Sequence, residues 1–288
     1  MVRAAVVVVH GIGGGTGKDR NEFSLSLESN VKKLISPDVD VLWAEANWEK
    51  LNDAVDSVIE RVVKDICRRY IKEMEDVTTH QNCAVATTPC ARKWFSCVFD
   101  FLSKCVLYCL QLKLKLLKQV EKHMPNIIDA AIDLPLYMQE PKGDEIRNVV
   151  REAIASASTC ADKVILVGHS LGSVIAFDVA AEELKKNIAS RLSALVTMGS
   201  PLKWVTEIRR AESNGQKDMP RVESIPWINF WDSADPVPER ERLDDKIFIG
   251  VDNREVKSGK DLIDAHCSYW TNMEIAETIA KMIRGEPR

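Results

Sequence analysis

The stretch VILVGHSLGSVIAFDVA, residues 164–180, places Gly168-x-Ser170-x-Gly172 between an apolar run and a helical pattern. A serine at such a strand-to-helix turn is held in a strained conformation with its hydroxyl presented outward. The flanking Gly168 and Gly172 leave room where side chains would collide with the strand and the helix. The helix start would offer the Leu171 amide to a developing oxyanion. A serine hydroxyl is a weak nucleophile without a base, and the base needs an orienting acid. Where the serine stands at this kind of elbow, the acid and then the histidine follow it along the chain. His266, in LIDAHCSYW, is the one histidine after Ser170 and therefore the candidate base. INFWDSADPVPER offers two acids, Asp232 and Asp235. Asp235 is preferred because it lies past the apolar strand and Pro236 and Pro238 stiffen its loop. Asp232 lies closer to the strand and suits a turn cap, and Asp264 is a third, weaker candidate.

A second feature is the opening VVVVHGIGGGTGKDR. Glycines at the carboxyl end of a strand let backbone N–H groups turn toward a phosphate or toward the oxyanion of an acyl transfer. A Walker loop fails on spacing: the position five before Gly17 is Ile12, and Asp19 follows Lys18. A dinucleotide loop also fails, since its third glycine falls on Thr16 or on Lys18. With an elbow at Ser170, the loop reads as the other half of an oxyanion hole, pairing the N–H of Ile12 with that of Leu171. His10, before Gly11, is expected to brace the loop by hydrogen bonding rather than to transfer protons.

These residues need a sheet to carry them. Val6–Val9 read as a strand buried on both faces. The pattern predicts a helix over 21–34, with Phe23, Leu27, Val31 and Leu34 on one face, and a strand over 39–43. Strand–helix alternation stops from 51 to 139 and then resumes. Helices are expected at 144–157, 171–185 and 272–283, and strands at 163–167, 194–198, 227–231 and 246–251, with His266 on a loop after the last strand. The reading is an α/β fold with a mostly parallel sheet of about six strands flanked by helices. Residues 1–50 and 140–288 form its core, and 51–139 a helical insertion, a cap or lid.

At 288 residues and 45% hydrophobic content the chain can bury one large core plus an insertion. A net charge of −4 gives no electrostatic reason to expect nucleic acid. No signal peptide precedes the first strand, so a cytosolic location is expected. None of the eight cysteines forms a C-x-x-C pair, so no zinc site and no metal is expected.

In VVHGIGG, GHSLGS, VTMGSPL, NFWDSADPVP and HCSYW the sequence resembles the α/β-hydrolase family, in its lipase and esterase branch. The resemblance covers both ends of the chain but not 51–139. It implies hydrolysis of carboxylic esters through an acyl-enzyme, without a cofactor. The strands that precede the oxyanion strand in that family are missing, which implies a trimmed version starting at the family's third strand. A thioesterase, a soluble carboxylesterase and an inactive hydrolase fold used as a binding module are the alternatives.

Within the insertion, WFSCVFDFLSKCVLYCLQLKLKLLKQV is the most apolar part, yet its uncharged run Cys105–Leu112 is too short to cross a bilayer. On a helical period Asp100, Lys104, Gln111, Lys115, Lys118 and Lys122 form a polar stripe beside a broad apolar face. Two readings stay open: a helix packed on the core, or a lid or membrane-surface helix over Phe95–Leu117. The expected partner is a small-molecule ester or lipid, and peripheral membrane contact would run through that segment.

Overall fold

The computed structural model describes residues 3–11, 22–48, 134, 137–186, 191–212, 220–239, 241–259 and 262–286. Ile12 and the segment Phe95–Leu117 lie outside the described residues. Contacts between Cα atoms divide the chain into two compact units, Met1–Lys50 with Gly143–Arg288, and Leu51–Lys142.

The elements of the first unit, with α2 beginning at the last residue of the second, run β1 (Ala4–Val9), α1 (Glu22–Leu34), β2 (Val41–Glu45), α2 (Lys142–Cys160), β3 (Lys163–His169), α3 (Leu171–Lys185) and β4 (Leu192–Met198). They continue with α4 (Leu202–Glu212), β5 (Trp227–Trp231), β6 (Val251–Glu255), α5 (Leu262–Cys267), a 3₁₀ turn (Ser268–Thr271) and α6 (Met273–Arg284). The six strands form one sheet in the order β2-β1-β3-β4-β5-β6, and every pairing is parallel. This is an α/β fold.

The central strands explain themselves chemically. All six residues of β1 are buried, as a strand covered on both faces requires. Val6, Val8, Ile165, Val167, Val196 and Phe230 turn one way and join a core with Leu27 and Val31 of α1 and Ile275, Ile279 and Ile283 of α6. Their alternate neighbours face the side where α3 packs on β3 and β4. α3 is buried almost throughout, Leu171 to Ala181 being fully enclosed. α6 is closed at both ends: Asn272 caps Glu274 and Ile275 amides, and Gly285, at φ 73°, takes the left-handed stop.

The last strand departs from the expectation. Residues 246–250 form turns and the strand is Val251–Glu255, a polar segment on the sheet edge. Gly250, at φ 85°, breaks the chain between the two. Of the apolar residues read as a strand, one serves packing instead, while Ile249 is exposed. Phe248 is buried, its ring 5.9 Å from Trp227 and 6.1 Å from Phe177. The polar strand satisfies itself sideways, Asn229 Nδ2 donating to Asn253 Oδ1 at 3.0 Å and Asn253 Nδ2 donating to the Leu243 carbonyl. The second strand is likewise displaced, to Val41–Glu45 rather than 39–43. Among the described residues no helix is long and apolar enough to cross a membrane.

Candidate active site

The strand order reverses between β1 and β3: the chain leaves β1 for β2 on one side and later builds β3 to β6 on the other. In open α/β sheets the crevice beyond the carboxyl ends at such a switch point is where ligands bind. Here those ends are His10-Gly11 and His169-Ser170, brought side by side by the register Val9↔Gly168.

Ser170 stands between β3 and α3 at φ 54°, ψ −129°. A non-glycine residue there is strained by about 1–3 kcal/mol. The surroundings hold it: its N–H donates to the Met198 carbonyl at 3.0 Å, and its carbonyl accepts from the Ser173 amide and hydroxyl. Ser173 Oγ also lies 2.6 Å from Ser200 Oγ, which ties the elbow to the loop after β4. The two motif glycines are steric necessities. A Cβ on Gly168 would come within 2.6 Å of Gly172 O and Ser173 Cα, and one on Gly172 within 2.2 Å of Val9 O. Their absence lets the head of α3 approach β1 and β3. Gly11 faces the serine so closely that a Cβ would lie 2.6 Å from Ser170 Cβ and 3.2 Å from Ser170 Oγ. Leu171 is the first residue of α3, a position whose amide has no intrahelical acceptor.

His266 and Asp235 are brought together. His266 Nδ1 lies 2.9 Å from Asp235 Oδ2 and 3.1 Å from Oδ1. A neutral imidazole donating through Nδ1 leaves Nε2 free of a proton, the form a general base requires. Asp235 is wholly buried and also accepts from the Val237 amide at 2.9 Å and from Tyr269 OH at 2.8 Å. His266 lies in the last turn of the short helix α5, not on a loop as expected. The 3₁₀ turn that follows folds Tyr269 back under the same carboxylate.

The elbow and this pair share neighbours. Ser170 bonds to Met198 O, and the next residue, Gly199, would place a Cβ 2.9 Å from Asp235 Oδ2 and 3.1 Å from His266 Nδ1. His169, beside Ser170, sets its ring 4.8 Å from that of His266 and its Nε2 2.7 Å from the His266 carbonyl. Burial pushes the His169 imidazole well below its ordinary value, and the nearby His266 adds to the shift. His169 is therefore a neutral donor to the backbone of the candidate base.

The other acids have different partners. Asp232 accepts from the Ala234 amide at 2.8 Å and the Ser258 amide at 2.6 Å, so it clamps two loops. Asp264 accepts from Ser268 Oγ at 2.7 Å. His10 is buried; its Nε2 lies 3.5 Å from Glu45 Oε2, and its carbonyl accepts from Trp48 Nε1 at 3.0 Å. His10 Nε2 makes no hydrogen bond at that distance, and Glu45 Oε1 accepts from Ser24 Oγ instead. Among the described residues no group of three or more His, Cys, Asp or Glu side chains could hold a metal ion.

Two site residues escaped the sequence reading, Gly199 and Tyr269. Both stood within quoted motifs, VTMGSPL and HCSYW, as a glycine closing a buried strand and a tyrosine three residues after the histidine.

No protein-family model and no curated protein matches the sequence. Among solved structures the chain is similar to the Vlm2 thioesterase domain, at TM-score 0.40 and 12% identity, over 98% of this chain and 94% of that one. It is also similar to a lipase-esterase related protein from Clostridium acetobutylicum, at TM-score 0.39 and 11% identity, over 99% of this chain and 94% of that one.

Proposed function

We propose that this protein is a serine hydrolase that cleaves carboxylic esters of hydrophobic acyl groups, lipids among them. Ser170 Oγ attacks the ester carbonyl carbon while His266 Nε2 takes its proton. Asp235 holds the Nδ1–H and balances the imidazolium charge. The tetrahedral oxyanion is met by the Leu171 amide and, by the sequence argument, that of Ile12. Collapse breaks the ester C–O bond, and the leaving alcohol receives the proton from His266. Water, deprotonated by His266, then attacks the acyl-Ser170 carbonyl; collapse breaks the acyl C–Oγ bond, and Ser170 Oγ takes the proton back from His266 as the acid leaves.

One observation carries this reading: a serine held at φ 54° bonds to Met198, and the next residue, Gly199, packs against a histidine bonded to a wholly buried carboxylate. Strain at the serine and a buried charge both cost stability, and neither is needed to build the sheet. The preference for a hydrophobic acyl group rests on the apolar segment Phe95–Leu117 of the sequence. The same segment, with its lysine stripe, is the part proposed to touch a membrane surface.

The test is labelling by a fluorophosphonate, which reacts only with an activated serine. The wild-type protein is expected to label and Ser170→Ala to remain unlabelled. Esters of graded acyl length are then expected to show kcat/KM rising with chain length. A folded wild-type protein that does not label would return the chain to the binding-module reading.

A further inference from the structure

We propose that Tyr269 is a positioning residue of this site: its hydroxyl fixes the Asp235 carboxylate and tempers the basicity of the Asp235–His266 pair. The inference rests on the reading of Ser170, His266 and Asp235 as the catalytic set.

Asp235 is fully buried, and its oxygens accept from three donors: His266 Nδ1, the Val237 amide and Tyr269 OH. Oδ2 carries both the shorter contact to His266, 2.9 Å, and the bond from Tyr269, 2.8 Å. The phenol thus competes with the imidazole for the same oxygen. A donor to an ionised carboxylate stabilises the charged form and lowers its pull on a shared proton. Tyr269 is itself fully buried, and its ring edge packs where a Gly199 Cβ would come within 2.8 Å of Cε2. It therefore has no freedom to turn its hydroxyl elsewhere. Burial and the Asp235 charge push the phenol well above its ordinary value, so it stays a neutral donor across the working range.

Other ionisable groups near the pair do not take this role. His169 approaches from β3 as a neutral ring bonded to the His266 carbonyl. Asp232 is bonded to the Ala234 and Ser258 amides, Asp264 to Ser268, and His10 lies beside Glu45 across the Trp270 ring.

Tyr269→Phe removes one oxygen and keeps the ring. The carboxylate then binds the imidazolium more tightly, so the acid limb of kcat/KM moves to higher pH, by about half to one pH unit. kcat at the plateau falls by about tenfold or less, because the pair survives with looser orientation. The Nδ1 proton of His266, followed by NMR without substrate, moves further downfield. A second variant guards against misfolding: 3-fluorotyrosine at 269 is a stronger donor, and its fluorine can take the ring edge away from Gly199. It should move the acid limb and the proton signal in the opposite direction. Unchanged acid limb and proton signal in a folded variant that still reacts with a fluorophosphonate would overturn the proposal. Loss of labelling in the wild-type protein would instead overturn the hydrolase reading.

Discussion

Gly199 and Asp235 stand so close that no side chain fits between them: a Cβ on Gly199 would lie 2.9 Å from Asp235 Oδ2. The glycine sits at φ 54°, and its N–H donates to the Phe230 carbonyl at 3.1 Å, so the backbone has no slack to withdraw. Gly199→Ala must therefore displace the carboxylate, Tyr269 or His266. Turnover is expected to fall by about 10²-fold or more, since a displacement near 1 Å at the reacting groups has that effect. The left-handed φ adds about 1 kcal/mol of destabilisation. Steady-state kinetics and a melting curve on one preparation check both, and normal turnover would show that the pair does not depend on this packing.

The two aspartates of the loop after β5 separate chemistry from architecture. Asp235→Asn leaves the buried geometry nearly unchanged but removes the charge and favours the wrong imidazole tautomer, so kcat should drop by about 10⁴-fold. Asp232→Asn weakens a clamp on the Ala234 and Ser258 amides. Its expected effect is on stability, about 1 kcal/mol, with kcat within severalfold of wild type. The reverse ranking of activities would transfer the acid role to Asp232.

How far the sequence could be read depended on which signal each element used. β1, β3 and β4 are buried on both faces, so their apolar runs read directly as parallel strands. The elbow was legible because strand, glycine spacing and helix all agreed around Ser170. Lys246–Val251 misled because hydrophobicity does not separate an edge strand from a core-filling turn. Phe248 is buried for its contacts with Trp227 and Phe177, whereas the real strand is held by Asn253. Tyr269 was invisible for another reason: its role depends on a 3₁₀ turn that carries the ring back under Asp235. No periodicity encodes that return.

Strain at Ser170, the proposed nucleophile, yields a prediction opposite in sign for stability and for activity. Ser170 at φ 54°, ψ −129° occupies a region that glycine enters without penalty. Ser170→Gly should keep the fold and raise stability by about 1 kcal/mol, offset in part by the greater entropy of glycine in the unfolded chain. Activity should fall by about 10³- to 10⁶-fold, as for any loss of the nucleophile. Ser170→Ala should match the activity loss but keep the strain. Chemical denaturation of the three proteins ranks them, and a Gly variant less stable than the Ala variant would show that the elbow is unstrained.

His169 makes stability fall with acid. Burial holds its imidazole well below the ordinary value of 6.5, so the folded protein keeps it neutral. The unfolded chain protonates it near that ordinary value and therefore binds more protons in mild acid. By linkage, folding stability is complete above about pH 6.5 and declines below it, by up to about 1.4 kcal/mol per pH unit, until the folded form also protonates. Protonation in the folded state would set a positive charge in a buried site, with the His266 ring 4.8 Å away. His169→Gln keeps a donor for the His266 carbonyl but removes the titrating group. Urea midpoints for wild type and variant at pH 5, 6, 7 and 8 decide the matter. The variant is expected to lose some stability at pH 7 and to decline less steeply below pH 6.5, so that the two curves converge in acid. Parallel curves would mean that His169 takes up its proton equally in the folded and unfolded chain.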